Sequence, residues 1–329
     1  RGKNRNMSFI EVKDLKVHYP IRGGFFNKII DYVYAVDGVS FTIEKGKTYG
    51  LVGESGSGKS TIGKAIIGLE KIKSGKIIYE GREIDRKFRN RRSEYNRNVQ
   101  MIFQDSLSSL NPKKRVIDLI SEPLRNFENL TPDEEKRKVS ELLEIVGMNR
   151  EDIFKYPHEF SGGQRQRLGI ARAVATKPKL IIADEPVSAL DLSVQAQVLN
   201  YMKDIQEQFG LSYLFISHDL GVVKHMCDYM FIMYHGRFVE TGEKNDIYKN
   251  PEHFYTKRLI AAIPEIHPEK RAENKRRRLE IEREYLANEK KYYDENGRVF
   301  DLKKLTDTHF VAFKDKNLRN NENSEKGGK

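Results

Sequence analysis

The spacing of apolar and polar positions changes twice along the chain and divides it into three parts. Phe9 to Tyr19 (FIEVKDLKVHY) and Ala35 to Ile43 (AVDGVSFTI) carry partial period-two alternation, which predicts half-buried strands. Ile21 to Val33, with Gly23, Gly24, Phe25 and Phe26, reads as a loop between them. Thr48 to Val52 is a short apolar strand ending at glycine, and Thr61 to Leu69 switches to helical spacing. Lys76 to Tyr79 and Val99 to Phe103 read as further strands. In the middle, Val116 to Leu124, Asp133 to Val146 and Gly163 to Ala175 have helical spacing and few strand formers. Thr131-Pro132-Asp133-Glu134 supplies an N-cap, a proline in the first turn and acids near the helix dipole. After Pro178 the α/β rhythm returns. Leu180 to Ala183 and Tyr213 to Ile216 are continuous apolar runs of buried parallel-strand type, and Val194 to Gln208 fits the crossover helix between them. Tyr229 to Tyr234 and Arg237 to Glu240, divided by His235-Gly236, predict a terminal hairpin.

From Pro251 the composition shifts. Phe254 to Ile263 is a short helical pattern closed by Pro264, Pro268 to Glu295 is charged and rich in helix formers, and Val299 to Phe313 holds a few apolar residues. Asn317 to Lys329 has the composition of a disordered tail. The length of 329 residues suits two domains, or one with a sizeable extension. The division expected is an α/β domain over 1–250, with a helical insertion over about 106–176, and an extension over 251–329.

Composition narrows the class. The apolar fraction is 38% and the charged fraction 33%, against about 25% charged in an average globular protein. The apolar runs fall far short of the roughly 18 residues of a spanning helix. The single cysteine, Cys227, excludes an intramolecular disulfide and a cysteine-only metal site. The residues before Met7 are basic and lack the apolar run of a signal peptide, so Met7 reads as the natural start and the cytoplasm as the compartment. The formal charge is +11, with seven basic residues between Arg82 and Arg97 and six between Lys270 and Arg278. Such runs fit solvated faces, phospholipid head groups or nucleic acid.

The chemistry concentrates in a few motifs. Gly53-Glu54-Ser55-Gly56-Ser57-Gly58-Lys59-Ser60, followed by Thr61, matches the phosphate-loop pattern and lies between a strand and a helix. Glycines let backbone N–H groups turn toward a phosphate, and the helix start presents its positive dipole end to the same anion. Lys59 would reach the β- and γ-phosphates of a nucleotide, and the Ser60 hydroxyl would ligate Mg²⁺. Leu180-Ile181-Ile182-Ala183 ends in Asp184-Glu185, which places two carboxylates at the ligand-binding end of a parallel strand. There Asp184 would hold the Mg²⁺ shell and Glu185 would act as general base on water.

Phe160-Ser161-Gly162-Gly163-Gln164-Arg165-Gln166-Arg167 resembles the signature motif of ATP-binding-cassette (ABC) ATPases, with phenylalanine for the commoner leucine. Further family positions follow in order. Gln104 resembles the Q-loop glutamine that senses Mg²⁺ and the membrane partner. Asp191, in Ser188-Ala189-Leu190-Asp191, resembles the D-loop, His218 the switch histidine at the γ-phosphate, and Tyr19 the aromatic that stacks on adenine. Tyr156-Pro157-His158-Glu159, the segment from Gln104 to Pro112, and Asn250-Pro251-Glu252-His253-Phe254-Tyr255-Thr256 with Ala262-Ile263-Pro264 resemble the ATP-binding subunits of oligopeptide and dipeptide importers. Arg22-Gly23-Gly24 and Thr308-His309-Phe310-Val311 favour the F-type over the D-type subunit of that group. Phe254 departs from the usual proline, and the C-terminal cluster cysteines of some relatives are missing.

The resemblance implies an ABC-type nucleotide-binding fold: a RecA-like core, an antiparallel β subdomain and an inserted helical subdomain. Glu185, His218 and Gln104 would be catalytic. Tyr19, the residues from Gly53 to Thr61 and Asp184 would bind ATP; Ser60, Gln104 and Asp184 would hold magnesium. Ser161, Gly162, Gly163, Gln164 and Asp191 would complete the opposite site of a dimer. The implied partners are a second, D-type ABC ATPase subunit, two transmembrane permease subunits and an extracytoplasmic peptide-binding protein, with no nucleic acid, at the cytoplasmic face of the membrane. Three alternatives stay open at this point: an importer for nickel, dipeptides or another small solute; a soluble ABC ATPase acting on ribosomes or nucleic acid; and a subunit that binds ATP without hydrolysing it. Intact Glu185 and His218 oppose the last.

Overall fold

The computed structural model describes residues 8–24, 26–84, 92–105, 109–263, 271–288 and 292–314. Two sheets carry the architecture. Strands β1 (Ile10–Gly23), β2 (Lys28–Ile43), β4 (Ser74–Tyr79) and β5 (Arg82–Glu83) form an antiparallel sheet of order β2-β1-β4-β5. The second sheet runs β11 (Leu302–Lys304), β12 (Phe310–Ala312), β10 (Arg237–Glu243), β9 (Tyr229–Tyr234), β3 (Thr48–Val52), β8 (Ser212–Ser217), β7 (Leu180–Asp184), β6 (Val99–Ile102). From β9 through β3, β8 and β7 to β6 its pairs are parallel. This is the α/β cassette fold expected from the sequence.

The apolar runs are continuous because the second sheet is covered on both faces. Leu180, Ile182, Leu214, Ile216 and Phe231 face a core shared with the antiparallel sheet and with helix α1 (Lys59–Ile66). Ile181, Ala183, Tyr213, Phe215 and Ile232 face the other core, which continues into the helical insertion. Successive residues thus serve opposite cores, which keeps the middle of these strands apolar, while buried polar residues such as Asp184 and Ser217 stand at their ends. The insertion contains Val116–Arg125, Pro132–Ile145 and Gly162–Val174. Thr131 caps the second helix, as the sequence predicts, and does so through a full capping box to Glu134.

Two expectations change and a third is refined. Ile21 to Val33 is not a loop: β1 and β2 stay paired out to Gly23↔Lys28, with Tyr19 opposite Val33 and Ile21 opposite Asp31. Ile21, Ile29, Ile30 and Val33 are β-formers, and the turn is confined to Gly24 and Asn27, both at positive φ. The β9–β10 hairpin is not terminal, because β12 pairs onto β10 and β11 onto β12. The basic run ending at Arg278 lies in the helix Arg271–Asn288, where Arg278 donates to the Ala261 and Ala262 carbonyls at 2.5 and 3.1 Å. It caps the end of Phe254–Ala261, so this arginine is engaged within the protein. Met7, Phe25, Ser106 to Ser108, Pro264, Pro268 and the 317–329 tail lie outside the described residues.

Candidate functional site

Residues 53–58 connect the end of β3 to helix α1. Two of the glycines are required by close packing. A Cβ on Gly53 would stand 2.1 Å from the Met233 carbonyl oxygen, and one on Gly58 would stand 2.0 Å from the Ala35 oxygen. The loop is thus wedged between the end of β9, beside its turn into β10, and β2. The Gly236 N–H donates to the Ser57 carbonyl at 3.0 Å and closes the contact. Glu54 N–H donates to the Tyr255 hydroxyl at 2.8 Å.

Lys59, 4% exposed, turns its ammonium into the loop. It donates to the carbonyls of Gly53 and Glu54 at 2.8 and 2.7 Å and to Ser57 Oγ at 3.3 Å. Burial lowers its pKa, while the carboxylates of Glu185, Asp184 and Glu54 act in the opposite sense. Ser60 Oγ donates to Asp184 Oδ1 at 2.7 Å. Asp184 is 3% exposed, and burial raises its pKa against the lowering effect of that bond.

Glu185 sits just past β7 with φ at +47°. This left-handed conformation is costly for a residue with a Cβ, and the Glu185 N–H anchors it to the Ile216 carbonyl at 2.9 Å. The turn points the carboxylate across the strand ends. Gln104 Nε2 donates to Glu185 Oε2 at 2.9 Å, and His218 Nδ1 lies 3.1 Å from Oε1. Three strand ends therefore converge on one carboxylate: β6 delivers Gln104, β7 Glu185 and β8 His218. Tyr19 joins from β1, near Thr61 and Glu70 beside the loop helix.

The structure gathers Gln104, Asp184, Glu185, His218, the residues from Gly53 to Thr61 and Tyr19 into one region. Ser161, Gly162, Gly163, Gln164 and Asp191 form a second group. Ser161 caps its helix through a capping box, with Gln164 N–H to Ser161 Oγ at 3.3 Å and Ser161 N–H to Gln164 Oε1 at 2.9 Å. Asp191 caps Leu192–Phe209, accepting from Val194 N–H at 3.0 Å. A Cβ on Gly163 would lie 2.5 Å from Val194, so the two helix starts abut. The intervening loop returns to the catalytic region through Ser188 N–H to the Glu185 carbonyl, 3.3 Å.

Oxygen ligands suit a magnesium ion here. The Ser60 hydroxyl and Asp184 carboxylate are adjacent, and the Gln104 amide is close by through Glu185. Among the described residues no group of three His, Cys, Asp or Glu could hold a metal, so an ion at this place draws further oxygens from phosphate and water. The sequence motifs do not point to Tyr255, Ala35 or Met233. The first stands in a segment whose resemblance marks it without giving a role, and the other two act through main-chain oxygens that leave no sequence signal.

The ABC transporter family model matches residues 36–188, and the family model for the oligopeptide/dipeptide transporter C-terminal region matches 239–295. The oligopeptide transport ATP-binding protein OppF of Lactococcus lactis subsp. lactis is 56% identical over 303 residues, 92% of this chain and 95% of the relative. The dipeptide transport ATP-binding protein DppF of Escherichia coli is 45% identical over 264 residues, 80% of this chain and 79% of the relative. A dimeric post-hydrolysis structure of the ATP-binding cassette MJ0796, bound to ADP and Pi, superposes with a TM-score of 0.63 at 24% identity, over 71% of this chain and 98% of that one. That likeness concerns the fold alone. Motifs, strand order and these relatives agree: the chain belongs to the ABC transporter family, as an ATP-hydrolysing, ATP-binding subunit of the oligopeptide and dipeptide importers.

Proposed function

We propose that ATP binds on the 53–61 loop and is hydrolysed with Glu185 as the base, driving oligopeptide uptake through separate permease subunits. The single observation that carries the assignment is Glu185 held between Gln104 and His218, next to the Ser60–Asp184 pair. Lys59 exchanges its neutral carbonyl partners for charged phosphate oxygens, which form stronger hydrogen bonds. Backbone N–H groups at the start of helix α1 receive the phosphates, and Tyr19 stacks on the adenine. Ser60, Asp184 and Gln104 hold magnesium, which when bound neutralises phosphate charge. Glu185 orients water and takes its proton; His218 positions Glu185 and contacts the γ-phosphate.

The group around Ser161 serves a second nucleotide site in trans. Its helix start presents N–H groups to a phosphate, and Gly163 packed on Val194 ties it to the Asp191 loop. The partners in this reading are a D-type ATPase subunit forming a heterodimer, two transmembrane permease subunits and an extracytoplasmic peptide-binding protein. The chain works at the cytoplasmic face of the membrane; no described helix is long and apolar enough to cross one. Residues 1–250 form the ATPase unit and 251–329 the extension.

The test is Glu185→Gln as the only copy in cells. ATP binding by the purified chain is retained, hydrolysis falls about 10²–10⁴-fold, and uptake of a labelled oligopeptide stops with the protein still at the membrane. Normal turnover by the variant refutes Glu185 as base.

A further inference from the structure

The C-terminal extension touches the phosphate loop directly at one point and is linked to it at a second through residues outside the extension. Tyr255, the second residue of Phe254–Ala261, is 1% exposed, and its ring packs on Tyr234 with centroids 4.7 Å apart. Its hydroxyl accepts the Glu54 N–H at 2.8 Å, at the beginning of the loop. Farther along, Arg298 donates to the Asp37 carboxylate at 2.5 Å. The Asp37 N–H then donates to the Gly236 carbonyl at 2.9 Å, and the Gly236 N–H to the Ser57 carbonyl at 3.0 Å. One route holds the loop at its second residue and the other at its middle.

We propose that Tyr255 is a positioning residue for ATP binding: its hydroxyl fixes the Glu54 peptide, so the docked extension sets the shape of the phosphate loop. The proposal rests on the reading of that loop as the ATP site. Glycine-rich loops lose more conformational freedom on ordering than other segments. An anchor outside the loop spends that freedom before the nucleotide arrives, which is preorganisation. Packing alone does not call for the hydroxyl, because Phe254 beside it serves the apolar contact with Tyr285 by a bare ring. Burial also pushes the Tyr255 pKa up, so the hydroxyl stays neutral and keeps its lone pairs for the Glu54 N–H.

The experiment compares ATP affinity of the full chain, by calorimetry with Mg·ATP, for wild type, Tyr255→Phe, Tyr248→Phe and Lys59→Ala. Deleting one neutral hydrogen bond costs a factor of about 2–12 in an equilibrium constant. Tyr255→Phe therefore weakens ATP binding by about that factor and speeds amide exchange of the loop peptide, with the ring still packed. Tyr248→Phe is the matched control: its hydroxyl bonds the Leu220 carbonyl, away from the loop. It lowers stability and leaves ATP affinity unchanged. Unchanged affinity in Tyr255→Phe, or equal weakening in Tyr248→Phe, overturns the proposal. Binding that survives Lys59→Ala instead removes the loop as the ATP site, and both readings fall together.

Discussion

Alanine substitution at three loop glycines separates packing from backbone conformation. Gly56 has φ +80° with nothing within 4 Å of where a methyl would stand, so Gly56→Ala carries only the left-handed penalty, about 1–2 kcal/mol. Gly53 has no such φ, but its methyl would meet the Met233 carbonyl oxygen at 2.1 Å and Ser57 Oγ at 2.9 Å. Overpacking of this kind costs about 1–3 kcal/mol. Gly58 combines both, with φ +106° and the Ala35 oxygen at 2.0 Å, which gives about 2–5 kcal/mol. The obstacles at Gly53 and Gly58 are main-chain atoms of ordered strands and cannot rotate away. The relief open to either variant is movement of the loop, so both also lose ATP affinity. Urea denaturation of the full chain reads the stability change as a shift in midpoint at constant slope. The order expected is Gly58→Ala most destabilised, with Gly53→Ala and Gly56→Ala milder. A Gly58→Ala variant no less stable than Gly56→Ala refutes the claim that the loop is wedged against β2.

Lys59→Met keeps the buried stem and removes the ammonium; ATP binding measured by calorimetry is lost, and the melting temperature falls modestly, because relief of the desolvated charge is outweighed by the Gly53 and Glu54 carbonyls left without their donor. The buried pair His309–Glu240, 2.7 Å apart, straps β12 onto β10 and makes the stability of the chain depend on pH. Burial opposes the imidazolium, but Glu240, with Asp246 and Glu252, outweighs it and raises the His309 pKa above 6.5. A raised folded pKa gives stability that is full below the unfolded value and lost as pH rises through the folded one. Urea midpoints of wild type therefore fall as pH climbs from about 6 through the raised folded pKa, and those of His309→Gln fall less; equal slopes refute the strap.

The strands that could be read from sequence are those whose burial is complete. Leu180 to Ala183 and Tyr213 to Ile216 are apolar at every position because both faces of the sheet are covered, and their bounds shift by only a residue at either end. The β1–β2 extension was illegible for the opposite reason. Ile21, Ile29, Ile30 and Val33 are 40%, 46%, 68% and 51% exposed, so neither a buried run nor clean alternation marks them, and two adjacent glycines imitate a loop. The small strands near the C-terminus were hidden too, since three-residue strands are recognisable only by their pairing on β10. At the site, the motif side chains were legible one by one. That Gln104, Glu185 and His218 share one site followed from the family resemblance; their direct contacts with Glu185 were not legible, because they depend on the order β8-β7-β6, which local sequence does not encode. The Tyr255 bond to Glu54 spans 201 residues and ends on a peptide N–H, for which any residue type but proline at position 54 would serve.

The hydrogen bonds at the site explain why binding and hydrolysis are separable. Lys59 and Ser60 act on the phosphate side, and their partners are loop carbonyls and Asp184. Glu185 has a different set, Gln104 and His218, from the ends of neighbouring strands. Replacing its carboxylate by an amide keeps one oxygen to accept from Gln104 and disturbs none of the Lys59 bonds, so the loop retains its shape. What disappears is the charge that draws a proton from water. A loss confined to turnover thus follows from the wiring. Removal of Lys59 acts on the other set and reaches hydrolysis only through lost binding. If the two sets were one network, Glu185→Gln would weaken ATP binding as strongly as it slows turnover, and calorimetry on that variant tells these cases apart.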